Sequence, residues 1–207
     1  MASTNDYQES LRRLGAAEID RLNKQFHRAS GALKKYIAFN VVMFDDRGSR
    51  LGWWGKRRVR RIINDLAECE AAIPKWWQPV FFLALAYQSL ADHRTALAKF
   101  LRAGEIIEDG TVPFKLHATV FRQAALSAER AGRLDVAIEC AKRAIEISPL
   151  DGGLWSNYAL ILQAAARIPE AMAAAREGVR LWPEDQMSQR ILDGVIRASS
   201  AGGPTSS

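Results

Sequence analysis

A chain of 207 residues with 48% hydrophobic and 25% charged side chains carries enough apolar content to fold around a core, which excludes an intrinsically disordered tract. Its charge-free stretches, Tyr36 to Phe44 and Gln78 to Gln88 among them, nowhere reach the roughly 20 residues needed to cross a bilayer, so no membrane span is expected. The net charge of +6 sits wholly in the N-terminal third: residues 1–75 hold 15 Lys/Arg against 9 Asp/Glu, while residues 76–207 hold 14 of each, which points to two regions with different tasks.

The opening Met-Ala-Ser-Thr-Asn-Asp has neither a basic start followed by an apolar stretch nor a glycine placed for myristoylation, so a cytoplasmic address is expected. Leu22, Phe26, Ala29, Leu33, Ile37, Val41 and Phe44 then recur at helical spacing and predict one long helix, or two in line with Ser30 and Gly31 as the weak point. The β-branched and aromatic run Tyr36 to Phe44 leaves a strand open as the alternative there. Asp45 to Gly55, with Gly48, Gly52 and Gly55, reads as a loop.

Arg57 to Ile73 predicts a basic amphipathic helix with Val59, Ile62, Ile63, Leu66 and Ile73 on one side and Pro74 closing it. Lys56, Arg57, Arg58, Arg60 and Arg61 occupy its first turns, where the macrodipole disfavours positive charge, so helix stability does not account for them. Beside Trp53 and Trp54, such a cluster suits an acidic protein partner, phosphates with stacked bases, or an anionic membrane surface. The plain alternative is neutralisation by Asp45, Asp46, Glu68 and Glu70, with the tryptophans capping the core.

Beyond this point the chain repeats itself. Phe121 and Trp155 lie 34 residues apart, as do Ala137 and Ala171, and Pro149 and Pro183, and the segments Ala118 to Asp151 and Gly152 to Asp185 superpose without gaps. Each unit reads as two amphipathic helices with a short polar break. Ala137, Ala141 and Ala144 line one face of the second helix in the first unit, and Ala171, Ala175 and Gly178 do so in the next, so that helices can approach closely. An earlier copy carries Leu83, Ala84, Tyr87, Ala96, Phe100 and Ala103; it has Glu108 where the others have proline, and seven extra residues around Gly110 to Leu116 follow it. Helix breaks are predicted near Asp92, Gly132 and Arg167, and Gln186 to Ala198 forms a last amphipathic helix before a disordered tail.

This 34-residue pattern, with Trp155, Ala159, Ala171 and Pro183 as its large aromatic, small, small and closing proline, resembles the tetratricopeptide repeat. The resemblance implies an all-α fold: a right-handed α-solenoid of three helix pairs plus a C-terminal capping helix and an N-terminal helical extension. Residues 1–55 form the extension and Gly-rich loop. The repeat domain spans 56–198, with a degenerate half-repeat at 56–75, repeats at 77–110, 118–151 and 152–185, and the cap at 186–198; 199–207 is the tail.

In such arrays the first helix of each pair lines the concave side, where partners bind. The resemblance places Phe81, Phe82, Leu85 and Gln88 there from the first repeat. Arg122, Gln123, Glu129 and Arg130 come from the second, and Ser156, Asn157, Leu160 and Gln163 from the third. A face apolar at one end and polar at the other suits an amphipathic helix or an extended peptide, unless the N-terminal helix itself covers Phe81 and Phe82. One subclass of the family grips chaperone C-terminal carboxylates with Lys, Asn and Arg spread over three repeats; Arg122 and Asn157 stand in the wrong repeats for that, and the activity is not carried over.

The function so implied is a protein-binding adaptor or scaffold with a protein or peptide partner. A secretion-type chaperone and a nucleic-acid or anionic-surface binding regulator using residues 56–61 stand as alternatives. No glycine-rich phosphate loop or nucleophile motif is present, so no catalytic role and no cofactor are expected. His27, His93 and His117 lack ligand spacing, and Cys69 and Cys140 read as buried, reduced thiols.

Overall fold

The computed structural model describes residues 3–41, 51–108 and 114–201. Among these the secondary structure is entirely helical: α1 (Ser3–Arg13), α2 (Ala16–Val41), α3 (Trp53–Ala72), α4 (Trp77–Ser89), α5 (His93–Glu108), α6 (Phe114–Arg130), α7 (Leu134–Ile147), α8 (Gly152–Ala164), α9 (Ile168–Leu181) and α10 (Gln186–Ala201). The chain divides into two compact units, Met1–Val112 and Pro113–Ser207.

In the N-terminal unit α2 is continuous through Ser30 and Gly31, and its row Leu22, Phe26, Ala29 and Leu33 is buried to 8% exposure or less. Residues 36–41 belong to this helix rather than to a strand, and residues 42–44 lie outside the described part. Helical hydrogen bonding continues there because nothing breaks it, and among the described residues a strand would have had no partner strand to pair with. α2 packs against both α3 and α4. Gln25 Nε2 donates to the Asp65 carbonyl at 3.0 Å and to the Glu68 carboxylate at 2.8 Å, and the Arg21 guanidinium pairs with Glu68 at 2.7 Å. The Cys69 thiol faces the Leu22 carbonyl. α3 starts at Trp53, with Gly52 in extended conformation as its N-cap, so Gly55, expected in a loop, lies within its first turn.

Within each of three helix pairs the turn contains a residue in the left-handed region: Ala91 (φ 62°), Gly132 (φ 75°) and Ala166 (φ 58°). The following amide reaches back over the turn in all three, Asp92 N to Tyr87 O at 3.0 Å, Arg133 N to Ala128 O at 2.8 Å and Arg167 N to Leu162 O at 2.9 Å. This closes orphan carbonyls at the helix end as a Schellman motif does. Only the middle turn has the glycine such geometry favours. The expected breaks near Asp92, Gly132 and Arg167 fall at these turns.

Small side chains sit where the second helix of each pair meets the first. Ala96, Ala137 and Ala171 are fully buried, and Ile62 of α3, 34 residues before Ala96, takes the matching place at 5% exposure. In the C-terminal unit Ala118, Phe121, Ala144, Ile145 and Leu154 form one core cluster, flanked by Ile147, Trp155 and Tyr158. α8 and α9 approach so closely that a Cβ on Gly178 would lie 2.5 Å from Ser156 Oγ, and one on Gly152 would lie 2.9 Å from the Gly178 carbonyl oxygen.

The repeat persists into α10. Trp155 donates its indole N–H to the Pro149 carbonyl at 2.9 Å, and Gln189, 34 residues later, donates its amide to the Pro183 carbonyl at 2.5 Å. Asp151 accepts from the Gly153 amide at 2.9 Å, as Asp185 accepts from the Ser188 amide at 2.8 Å. α10, packed on α8 and α9, thus occupies the place of a further first helix.

Candidate partner-binding surfaces

The first helices of the pairs, α4, α6 and α8, carry the residues expected to meet a partner, and the structure sorts them. In the N-terminal unit Phe81 is half-buried, with ring centroids 6.1 Å from Trp77, 5.8 Å from Phe82 and 5.6 Å from Phe100. Phe82 meets Phe26 of α2 edge-on at 5.7 Å, and Phe26 also lies 4.9 Å from Trp76. Leu85 is 8% exposed and Gln88 half-buried. The apolar end of the expected face is therefore engaged within the unit, and α2 covers Phe82.

In the C-terminal unit Arg122, Gln123 and Glu129 are half-buried and Arg130 is exposed on α6, while Asn157, Leu160 and Gln163 are half-buried on α8. α8 touches α6 as well as α7, so these two first helices are neighbours. Ser156 differs: it is 4% exposed and its hydroxyl is hydrogen-bonded to Ser188 of α10 at 2.8 Å. The Nε of Arg122 is buried and has no acceptor among the described residues. A guanidinium N–H held away from water without an acceptor is costly, and an incoming carboxylate or carbonyl would relieve it.

At the start of α3, Arg57, Arg58, Arg60 and Arg61 are exposed and Lys56 is half-buried. Trp53 and Trp54 are 61% and 75% exposed, packed edge-on with centroids 4.5 Å apart, and the Arg57 guanidinium sits 5.6 Å from the Trp53 ring centre. Neither indole caps the core. Glu68 is committed to Arg21 and Gln25, and Glu70 to Lys99 at 2.6 Å, so neither neutralises the cluster; Asp45 and Asp46 lie outside the described residues. The hydrogen bonds from Gln25 and Arg21 hold the Glu68 carboxyl below its ordinary pKa.

Cys69 and Cys140 are buried free thiols, and burial pushes each up to about 11. No group of His, Cys, Asp and Glu among the described residues has metal-binding geometry. No described helix is long and apolar enough to cross a membrane.

Comparison with known proteins places the fold. No protein-family profile matches the chain. Tetratricopeptide repeat protein 7B of mouse and of human is 26% identical over 108 residues, a stretch covering 52% of this chain and 12% of either relative. Among solved structures, the MamA RS-1 ArsTM double mutant is similar with a TM-score of 0.66 at 12% identity, covering 86% of this chain and 85% of that one. YrrB, described as a TPR protein with an unusual peptide-binding site, gives 0.58 at 11% identity over 84% of this chain and 85% of its own. The first TPR of Spaghetti (RPAP3), bound to the HSP90 peptide SRMEEVD, gives 0.52 at 12% identity over 60% and 93%. At such identities the likeness is one of fold. Joined to the 34-residue register and the repeated helix-pair turns, it gives this chain the helical-repeat fold of the tetratricopeptide-repeat proteins it resembles.

Proposed function

We propose that the chain is a non-catalytic protein-interaction scaffold whose C-terminal unit holds a partner peptide or helix against α6 and α8. Arg122, Gln123, Glu129 and Arg130 on α6 and Asn157, Leu160 and Gln163 on α8 make the contacts; Ser156, spent on Ser188, is left out. The observation that carries this reading is the buried Arg122 Nε, without an acceptor among the described residues, which a backbone carbonyl or carboxylate of a bound peptide would satisfy. The solved tetratricopeptide folds above that are described as binding peptides support it. The adjacent amide and apolar groups, Asn157, Gln163 and Leu160, suit backbone recognition with an aliphatic anchor.

Arg122→Glu with Arg130→Glu tests the surface. Affinity capture from the native cell with quantitative mass spectrometry should show the wild type's co-purifying proteins depleted about tenfold or more in the variant, with helix content by circular dichroism unchanged. Retention of every co-purifying protein by a folded variant would remove α6 from the site.

A further inference from the structure

α2 and α3 enclose a groove of about 830 Å³ within the N-terminal unit. Arg28 of α2 and Arg57, Arg58 and Arg61 of α3 rim it, and Trp54 forms part of its wall. The floor is apolar, made by Ala29, Ala32 and Ile62. Among the described residues Asp65 is the sole carboxylate lining it, and no ion pair engages any of the four arginines. Two of them, Arg57 and Arg58, lie in the first turns of a helix that has no acidic residue in its first turn, so they oppose the macrodipole uncompensated.

We propose that this groove receives an acidic segment of a partner protein, at a site separate from the α6–α8 face. Guanidinium groups present paired N–H donors that match carboxylates, and four of them against Asp65 among the described lining residues set the sign of the partner. The apolar floor and Trp54 accept an aliphatic or aromatic side chain between those carboxylates, as grooves that take amphipathic segments do. Single-stranded nucleic acid fits less well. The floor offers no donor or acceptor to base edges, and Trp53, packed on Trp54 and next to Arg57, is not part of the groove lining, so successive bases would find one indole. A concave site also suits an inserted segment better than a flat lipid surface.

The test uses the full chain and a fluorescein-labelled peptide of Glu and Asp with leucine at every fourth position, read by anisotropy. A companion peptide has Gln and Asn in place of the acids, and oligothymidine and phosphatidylserine vesicles complete the panel. The acidic peptide should bind, its companion about tenfold or more weakly, and affinity should fall with salt because exposed charges are screened over about 8–10 Å. Arg58→Glu with Arg61→Glu should weaken binding about tenfold or more, and Trp54→Ser should weaken it several-fold. Failure of the acidic peptide to bind, or tighter binding of oligothymidine or vesicles than of the peptide, overturns the proposal. Wild-type affinity in a folded Arg58/Arg61 variant also overturns it. If that variant loses helix content, Trp54→Ser decides, since its side chain is largely exposed: unchanged peptide affinity then refutes the groove.

Discussion

Gly178→Ala probes the point where α8, α9 and α10 converge. The added Cβ would sit 2.5 Å from Ser156 Oγ and 3.2 Å from both the Gly152 carbonyl oxygen and the Ser156 amide nitrogen. Backbone cannot give way on two sides, so the Ser156 hydroxyl must turn, and its 2.8 Å hydrogen bond to Ser188 is lost. Ser188 keeps Asp185 as acceptor at 2.6 Å, whereas the Ser156 hydroxyl is stranded at 4% exposure. A stranded buried hydroxyl costs about 1–3 kcal/mol and forced repacking about the same. Alanine gains about 1 kcal/mol over glycine within a helix, leaving a net loss of about 3 kcal/mol. In a Ser156→Ala background the obstructing oxygen is gone, and the same substitution should cost little or stabilise. Urea denaturation followed by circular dichroism on the two single variants and the double variant should give a coupling of about 1 kcal/mol or more. Additivity within about 0.5 kcal/mol would mean that position 178 does not meet Ser156, and that the α8–α9 crossing is misplaced.

Two further outcomes follow from the turns and from the α2–α3 contact. Ala166→Gly should be neutral to stabilising by about 1 kcal/mol, because relief of the left-handed backbone, about 1–2 kcal/mol, exceeds the extra freedom glycine gives the unfolded chain; Gly132→Ala should destabilise by a similar amount, and a melting midpoint moving the opposite way in either variant refutes the turn geometry. Glu68 has its folded pKa lowered, first by Gln25 and then by Arg21, so its contribution is present above the ordinary carboxylate pKa of about 4.3 and is lost as pH falls through the folded value. Thermal scans of the wild type and of Glu68→Gln should therefore converge as pH drops below about 4, and a constant gap would show that Glu68 does not link α2 to α3 through its charge.

Much of the fold was legible because repetition at fixed spacing carries its own register. Trp155, Ala171 and Pro183 repeat Phe121, Ala137 and Pro149 at 34 residues, and the buried alanines and the turn at Gly132 stand where that spacing puts them. The hydrophobic period of α2 likewise marked Leu22, Phe26, Ala29 and Leu33 as its buried face. Periodicity says which face is buried and not against what. Whether the N-terminal helix covers Phe81 and Phe82 is therefore open in the sequence, and only the packing of α2 on α4 brings Phe26 onto Phe82. Ser156 looked like a surface hydroxyl because its partner, Ser188, belongs to the next first helix. Ala91 and Ala166 carry no sign of a left-handed turn, since alanine is the usual residue of a helix interior rather than of its end. Arg28 was not linked to Arg57, Arg58 and Arg61, because only the tertiary contact between α2 and α3 brings them to one groove.

The central claim, that a partner lies against α6 and α8, is tested most directly by a photo-crosslinking amino acid placed at Leu160 on α8 and, in a separate protein, at Ala173, exposed on α9. After irradiation in the native cell, position 160 should form a discrete adduct with another protein, and the adduct should vanish in the Arg122→Glu, Arg130→Glu background. Position 173 should form none. Equal adducts from both positions, or an adduct from position 173 alone, would contradict the account.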